Sequence, residues 1–242
     1  MSKQSIQPAY GNTFESTRRL KPRLWDVDYC LLRGLADAVR GFAERYVQPE
    51  SQIIDFGCGA KPYRSLFPKH VKYMGVDTCP SAYVDILVEP GQPVPLADGT
   101  ADCIISTQVV YLIPDYKPYL RECYRLLGSE GFLLITSHGT WTHHPASGGD
   151  YYRFTQDGLR YILDQAGFEV VEIEPIVGTL GTGLHLRQLV FTAWLKKLHC
   201  SWLANVMNFL TNVRILVEDK LSPRGMRMSS PVMFVVVARR KI

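Results

Sequence analysis

The chain has 242 residues, of which 46% are hydrophobic and 21% are charged, and its formal net charge is +4. This is the balance of a globular protein with a real core. The mild charge argues against a dedicated nucleic-acid binder, which usually carries a denser basic face.

The cysteine pattern and the apolar runs bear on the compartment. The six cysteines are scattered and form no C-x-x-C pair, so neither a disulfide framework nor a metal site is expected, and a reducing compartment fits best. The start of the chain lacks an apolar signal-peptide segment, and no apolar run approaches the length of a membrane span. We expect a cytoplasmic protein.

Strand and helix patterns alternate along most of the chain. Residues 1–24 are polar and predicted to be irregular, and apolar residues recur at helical spacing over residues 25–47. Predicted strands follow at residues 52–56, 71–77, 84–88, 101–110, 132–137, 168–176 and 232–239. Predicted helices occupy residues 63–67, 115–127 and 155–165, with Gly128 and Gly131 framing the exit of the second and Gly167 ending the third.

This order predicts the fold class and a division of the chain. Alternating strands and helices indicate βαβ units. We predict an α/β, Rossmann-like, doubly wound sheet of seven strands, mostly parallel, with an antiparallel last strand. We divide the chain into an N-terminal segment and helix, residues 1–48, and one domain, residues 49–242.

A helical insertion is predicted between strands six and seven, at residues 178–230. Its helical centre, residues 184–221, carries one apolar stripe: Val190, Trp194, Leu198, Trp202, Val206, Leu210, Val213 and Val217. Three interpretations stay open. The insertion is a lid over a ligand cleft, a core or dimer-packing helix pair, or an interfacial segment lying on a membrane with Trp194, Trp202, Lys196 and Lys197 at the boundary.

The string IIDFGCGAKPYRSLF, residues 53–67, places an acid and two glycines at the end of the first predicted strand. Gly57 and Gly59 allow a tight turn that a ligand can approach closely. The third glycine of a dinucleotide site is missing, since Ala60-Lys61-Pro62 stands there. The acid Asp55 favours a ligand that carries positive charge.

Asp77 ends the second predicted strand, 18 residues after Gly59. An acid at that distance, at that strand end, commonly accepts hydrogen bonds from ribose hydroxyls. The alternative is that Asp77 only caps a turn.

These motifs, followed by PLADGTADCIISTQVVYLIPD and YLRECYRLLGSEGFLLITSHG, resemble a class I S-adenosylmethionine-dependent methyltransferase of the type 11-like kind. The later string THHPASGGDYYRFT is similar to a branch of small bacterial methyltransferases that often accompany cell-surface saccharide biosynthesis.

The resemblance implies S-adenosyl-L-methionine as cofactor and assigns residues to it. Asp55 would lie near the cofactor amino group, and Asp77 would hold the ribose hydroxyls. The remaining cofactor residues would be Gly57, Cys58, Gly59, Thr78, Glu89, Thr107 and Gln108. Two positions depart from the family: Pro90 stands where an acid often contacts adenine, so that Glu89 is the substitute, and Tyr111-Leu112 replaces a Glu-His pair.

The segment after the fifth predicted strand is the candidate acceptor site, because such loops face the substrate in doubly wound folds. His144 is the candidate general base, since histidine titrates near neutral pH. Asp150, Tyr151 and Arg153 are candidate substrate-binding residues, although Arg153 could instead bridge to Asp150 structurally. No metal site is expected, because His143 and His144 lack a matching carboxylate pattern.

The sequence therefore predicts an enzyme that transfers a methyl group to a small molecule or saccharide, with oxygen as the expected acceptor atom. A non-catalytic, methyltransferase-like binding or scaffold subunit is the main alternative. We expect no nucleic-acid partner, because no base-modification signature follows the fourth strand, where STQVVYL stands. A homodimer, and peripheral contact of residues 184–221 with the inner face of the membrane, remain open.

Overall fold

A mixed seven-stranded sheet forms the centre of the protein. The computed structural model describes residues 13–143 and 149–241. The strands lie in the order β3-β2-β1-β4-β5-β7-β6 and all pair in parallel except β7, which is antiparallel to β5 and β6. Their bounds are β1 Gln52–Phe56, β2 Lys72–Asp77, β3 Ile86–Leu87, β4 Ala101–Thr107, β5 Leu127–His138, β6 Phe168–Ile176 and β7 Met233–Arg240. The predicted fold is confirmed.

Helices cover both faces of the sheet. Their bounds are α1 Thr13–Leu20, α2 Tyr29–Tyr46, α3 Tyr116–Leu126, α4 Gln156–Gln165, α5 Thr179–Lys197, α6 Ser201–Leu221 and α7 Arg224–Ser229. Apolar side chains of α3 and α4 pack on one face. Those of α2, with Leu184 of α5 and Ile215 of α6, pack on the other. The strand order reverses between β1 and β4, so a ligand crevice is expected at their carboxyl ends.

Local chemistry explains several helix ends. The carboxylate of Asp115 caps α3 by accepting from the Lys117 amide at 3.2 Å, and the hydroxyl of Thr155 caps α4 by accepting from the Gly158 amide at 3.0 Å. After α4 the chain turns at Gly167, where φ is +90° and a Cβ atom would lie 2.8 Å from the Tyr124 ring. These ends agree with the predicted ones.

Two predicted boundaries are wrong. Gly128 and Gly131 lie inside β5, which begins at Leu127, directly after α3. A Cβ atom on Gly131 would lie 2.9 Å from the Asp102 carbonyl oxygen, so this glycine permits close strand contact rather than ending a helix. The predicted helix over residues 63–67 is a single 3₁₀ turn, Arg64–Leu66.

The N-terminal part is more ordered than the sequence predicts. The segment predicted to be irregular contains α1, and Arg18 forms an ion pair with Asp28, just before α2. A turn in which the Arg23 amide donates to the Asp26 carboxylate at 2.7 Å delays the start of α2 to Tyr29. The division of the chain at residue 48 stays a prediction, although α2 shares the core of the sheet.

The insertion is a hairpin of two helices rather than one continuous helical stripe. Helices α5 and α6 pack against each other and are joined by a turn at residues 198–200, where His199 has a φ of +58°. The residues of the predicted apolar stripe are all exposed, so they do not fill a core of this chain. No helix in the described part of the chain combines the length and hydropathy of a membrane span.

Candidate functional site

The turn after β1 brings the glycines to the carboxyl end of the sheet. The Gly57 and Cys58 amides both donate to the Val76 carbonyl oxygen of β2, at 2.8 and 3.2 Å. Gly57 has a φ of +81°, and a Cβ atom there would lie 2.4 Å from a methyl carbon of Val109. Gly59 has a φ of +52°. Glycine is therefore required at position 57 by space as well as by conformation, and it is favoured at position 59 by conformation.

Asp77 is fixed at the end of β2 by main-chain donors. One carboxylate oxygen accepts from the Gly59 amide at 2.8 Å and the other from the Cys79 amide at 2.9 Å. These two bonds join the second strand to the glycine turn and leave further lone pairs on both oxygens. The carboxylate is therefore held in one orientation with acceptor capacity to spare for a ligand's hydroxyl groups.

Asp55 lies under the turn rather than beside it. Only 2% of the residue is exposed, and its carboxylate accepts a hydrogen bond from the Tyr73 hydroxyl at 2.7 Å. Burial raises the pKa of Asp55 to about 7, although the Tyr73 hydrogen bond and the charge of Lys61 act in the opposite direction. The predicted contact with a cofactor amino group stays a prediction, because this side chain is nearly inaccessible as it stands.

Asp85 is a third carboxylate in this region, which the sequence interpretation missed. It accepts from the Gly75 amide at 2.7 Å and forms an ion pair with Lys61. Partial burial acts to raise the pKa of Asp85, but the bonds from Lys61 and the Gly75 amide outweigh it and hold the pKa below its ordinary value. Asp85 directly precedes β3 and lies inside the strand predicted over residues 84–88, so the sequence pattern did not mark it as a site residue.

The other predicted cofactor residues on this side differ in exposure. The thiol of Cys58 is buried, and burial raises its pKa to about 12. Cys58 would therefore contact a ligand through its main chain, while Thr78 and Glu89 are exposed. The Val88 amide donates to the Asp77 carbonyl at 3.0 Å, which brings Glu89 next to the end of β2.

Thr107 and Gln108 end β4 on the other side of the glycine turn. Gln108 has a φ of +61°, unusual for a residue with a Cβ atom, and its amide donates to the Thr136 hydroxyl at 2.9 Å. The adjacent Val109 is the residue that a Cβ atom on Gly57 would meet. Strained backbone held in this way is frequent at functional sites. The structure thus brings the two predicted cofactor segments, after β1 and after β4, into contact.

Three rings stack beyond the end of β5. The Trp141 ring lies between His138 and His185, with centroid distances of 4.8 and 5.3 Å and interplanar angles of 7° and 21°. Tyr111 meets His138 edge-on at 4.9 Å. His185 comes from α5, more than forty residues further along the chain, and the sequence interpretation missed it. The stack ties the insertion to the loop that follows β5.

His185 is the least typical member of the stack. It is fully buried, and no hydrogen bond of good geometry reaches either ring nitrogen from the described residues. Burial lowers the pKa of His185 below the ordinary value of histidine, although interactions with Gln188 and Asp28 act in the opposite direction, so the neutral ring is favoured at neutral pH. A neutral imidazole offers one donor and one acceptor nitrogen.

Arg153 organises the loop after β5. Its guanidinium forms a two-bond ion pair with Asp150, at 2.5 and 2.6 Å, and donates to the Thr142 carbonyl at 2.9 Å. This is the structural alternative considered for Arg153, and a substrate contact of Asp150 or Arg153 stays a prediction. Tyr151 is half-exposed, with its amide bonded to the Tyr111 carbonyl. The candidate base His144 lies outside the described residues.

Metal binding finds no support in residues 13–143 and 149–241, where no group of three or more His, Cys, Asp or Glu side chains could hold an ion. The free cysteines of this part of the chain are mostly buried and isolated.

Known proteins match this architecture. Residues 54–135, which contain the glycine turn, Asp77 and Gln108, match a family described as methyltransferase domain. Comparison with curated proteins gives no match.

Three solved structures illustrate the likeness of the fold. The [4+2]-cyclase SpnF is 17% identical with a TM-score of 0.57, over 87% of this chain and 81% of that one. The methyltransferase in a complex with the Haloferax volcanii Trm112 activator is 16% identical with a TM-score of 0.53, over 90% and 98%. A Haemonchus contortus N-methyltransferase, solved with phosphomonomethylethanolamine and S-adenosylhomocysteine, is 14% identical with a TM-score of 0.50, over 92% and 61%.

Proposed function

We propose that the chain is a class I S-adenosylmethionine-dependent methyltransferase, in keeping with the methyltransferase-domain match over residues 54–135, and that it methylates a hydroxyl oxygen of a saccharide or another small molecule. The observation that carries the cofactor assignment is Asp77, held by the Gly59 amide where β1 and β2 end. The acceptor and the oxygen chemistry are the parts that require experiment.

The charges around the glycine turn fit this cofactor. Asp77 and Asp85 border the turn, Asp55 lies beneath it with its pKa raised to about 7, and Lys61 pairs with Asp85. A ligand with positive sulfonium and ammonium groups is attracted there, whereas a pyrophosphate is repelled. When bound, S-adenosylmethionine supplies an electrophilic methyl group on sulfur. Gly57 and Gly59 would allow its close approach to the main chain, and Asp77 would accept from its ribose hydroxyls.

The acceptor assignment is supported by the ring stack beyond β5. Trp141 is the partly exposed ring of the stack, while Tyr111, His138 and His185 are buried and hold it in place. A fixed, partly exposed indole ring offers the kind of apolar wall that small-molecule sites use. A saccharide has apolar C–H faces that could pack on such a ring, and hydroxyl groups at its edges. The DYYRFT string is also similar to a motif of small bacterial methyltransferases that often accompany cell-surface saccharide biosynthesis.

A hydroxyl acceptor needs a residue that takes its proton as the new bond to carbon forms. His144 remains the proposed base, and its sequence neighbour His143 is an exposed control. The protein's remaining task is to align the acceptor oxygen with the methyl carbon and to exclude water. We expect His144→Ala to lower kcat by about 100-fold or more and to remove the acidic limb of the pH profile, while His143→Ala leaves both unchanged.

The test of this function is a methyl-transfer assay with a labelled methyl group. Saccharides with free hydroxyls, the same saccharides with those hydroxyls already methylated, and simple amines are offered in parallel. Release of S-adenosylhomocysteine only with free hydroxyls supports the proposal. Transfer to amines, or transfer that ignores the blocking of hydroxyls, contradicts the acceptor assignment and leaves the cofactor assignment intact.

A further inference from the structure

The contact between α5 and α6 is polar on its inner side. The Gln188 amide nitrogen donates to the side-chain oxygens of Asn208 and Asn212, at 3.2 and 3.3 Å. The Thr192 hydroxyl donates to the Asn208 oxygen at 2.7 Å. All four side chains are buried. The two helices are thus joined by hydrogen bonds where a water-soluble helix pair normally places apolar side chains.

The same asparagines hold the N-terminal segment against the hairpin. The Asn212 amide nitrogen donates to the Leu24 and Asp26 carbonyls, both at 2.8 Å, and the Asn208 amide nitrogen donates to the Trp25 carbonyl at 3.2 Å. These bonds leave the hairpin no freedom to turn its apolar side inward, because rotation would unpair buried polar groups.

The opposite side of the hairpin is apolar and exposed. This outer face consists of Val190, Phe191, Trp194, Trp202, Val206, Phe209, Leu210, Val213 and Val217. Its largest exposures are 71% for Trp202, 65% for Val190 and 61% for Leu210. A contiguous apolar patch of this kind marks a contact with another molecule or with a membrane.

The charges on the hairpin have one sign except at the end of α6, where Glu218 and Asp219 lie. Between Glu174 and Glu218 the sequence contains no acidic residue. Arg187, Lys196 and Lys197 are exposed, and the two lysines lie beside Trp194 at the hairpin turn. Basic side chains and tryptophans at the rim of an apolar face are typical of helices that lie in the headgroup region of a membrane.

We propose that the outer face of the hairpin docks onto the surface of a bilayer that contains anionic lipid. The nine apolar side chains enter the boundary between headgroups and acyl chains, and Lys196 and Lys197 pair with lipid phosphates. The helices rest on the membrane rather than cross it, in keeping with the lack of a span among the described helices.

A second copy of the chain is a poorer occupant. A symmetric interface would bring identical basic faces together, and the nearest acid, Glu218, is already bonded to Arg214 at 2.7 Å. Unpaired like charges oppose association, whereas an anionic lipid surface neutralises them.

The first experiment is flotation of the full chain with vesicles of phosphatidylcholine alone or with about 30% phosphatidylglycerol. We expect binding to the anionic vesicles at least tenfold tighter than to the neutral ones, weakening as salt is raised. Equal binding to both kinds of vesicle, or no binding to either, overturns the proposal.

Matched variants separate the two contributions to binding. Trp202→Ser with Leu210→Ser removes apolar surface from the outer face, and Tyr161→Ser with Leu87→Ser removes similarly exposed surface elsewhere. Lys196→Glu with Lys197→Glu reverses charge at the hairpin turn, and Lys69→Glu with Lys72→Glu makes the same change in net charge elsewhere. We expect binding to fall about tenfold or more in the hairpin variants only.

Oligomeric state provides the opposing test. Sedimentation without lipid should show a monomer for the wild type and for Trp202→Ser with Leu210→Ser. A stable dimer that this variant dissociates would assign the outer face to a second copy and overturn the membrane proposal. Titration of S-adenosylhomocysteine into each variant checks that the cofactor site is intact, so failure of membrane binding is distinguishable from failure of the proposed function.

Discussion

The glycine turn after β1 and the hairpin α5–α6 both fix polar side chains by hydrogen bonds, but the partners of those side chains differ. At the turn, the Asp77 carboxylate is fixed by main-chain amides within a short local motif. In the hairpin, Gln188, Asn208 and Asn212 bond mainly to one another and to a segment almost two hundred residues away in the chain.

This difference decides what each region can do. The turn presents charge to a ligand at the carboxyl edge of the sheet, where the strand order reverses. The hairpin uses its polar groups internally and is left with an apolar outer face. One region is therefore suited to a small charged ligand and the other to an extended apolar contact.

The largest expected loss of stability comes from a substitution that disrupts the glycine turn. Gly57→Ala should lower the free energy of unfolding by about 2–4 kcal/mol, because it adds backbone strain and a Cβ atom in contact with Val109. Gly91 is a matched control, with the same φ of +81° and nothing within 4 Å of a Cβ atom. Gly91→Ala should cost only about 1 kcal/mol. Urea denaturation measures both, and equal losses would refute the role of Val109.

The corresponding substitution in the hairpin removes the hydrogen bonds that attach it to the N-terminal segment. Asn212→Leu should lower the free energy of unfolding by about 2–3 kcal/mol, because two carbonyl groups of the N-terminal segment lose their partner. Asn205 lies on the exposed side of α6, so Asn205→Leu should change it by less than about 0.5 kcal/mol. An Asn212→Leu protein as stable as the wild type would show that the inner polar network does not stabilise the hairpin.

The pH dependence of stability tests the burial of Asp55. Since its folded-state pKa is raised from 3.8 to about 7, the native state binds the extra proton between these values. The free energy of unfolding should therefore fall as pH rises from about 4 to about 7, by an amount on the order of 1–3 kcal/mol. The difference between wild type and Asp55→Asn isolates this contribution. A difference that stays constant across that range would contradict the raised pKa.

The smallest effect concerns the ion pair beside the turn. Lys61→Met should lower the free energy of unfolding by only about 0.5–1 kcal/mol, because the partner Asp85 is half-exposed. It should also shift the titration of Asp55 upward, since the charge of Lys61 lowers that pKa. Lys72→Met, at an exposed lysine nearby, provides the control. An unchanged Asp55 titration would exclude the coupling.

The predictable parts of the molecule are those whose cause is local. Strand alternation predicts the sheet, and the order of Asp55, Gly57, Gly59 and Asp77 predicts the turn, because each residue acts through its own backbone or a neighbour on the next strand. The prediction of a helix over residues 63–67 was wrong on local grounds that the sequence already contained, because five residues before Pro68 can form a single 3₁₀ turn but not a stable α-helix.

The parts that escape prediction depend on distant contacts. His185 belongs to the ring stack through its contact with Trp141, which is distant in sequence. Helical spacing alone does not indicate that the apolar stripe from Val190 to Val217 faces outward. Helical periodicity identifies an apolar face but not its partner. Its polar opposite, Gln188 with Asn208 and Asn212, becomes recognisable as an inner face only when two helices are placed together.

Binding of the cofactor tests the central claim most directly. S-adenosylmethionine and S-adenosylhomocysteine are titrated by calorimetry into the wild type, Asp77→Ala, Gly57→Ala and the control Gly91→Ala. Dissociation constants on the order of micromolar for wild type and Gly91→Ala, with binding lost in Asp77→Ala and Gly57→Ala, are the predicted result. No binding by the folded wild type, or equal binding by all four proteins, would contradict the assignment of the glycine turn as the cofactor site.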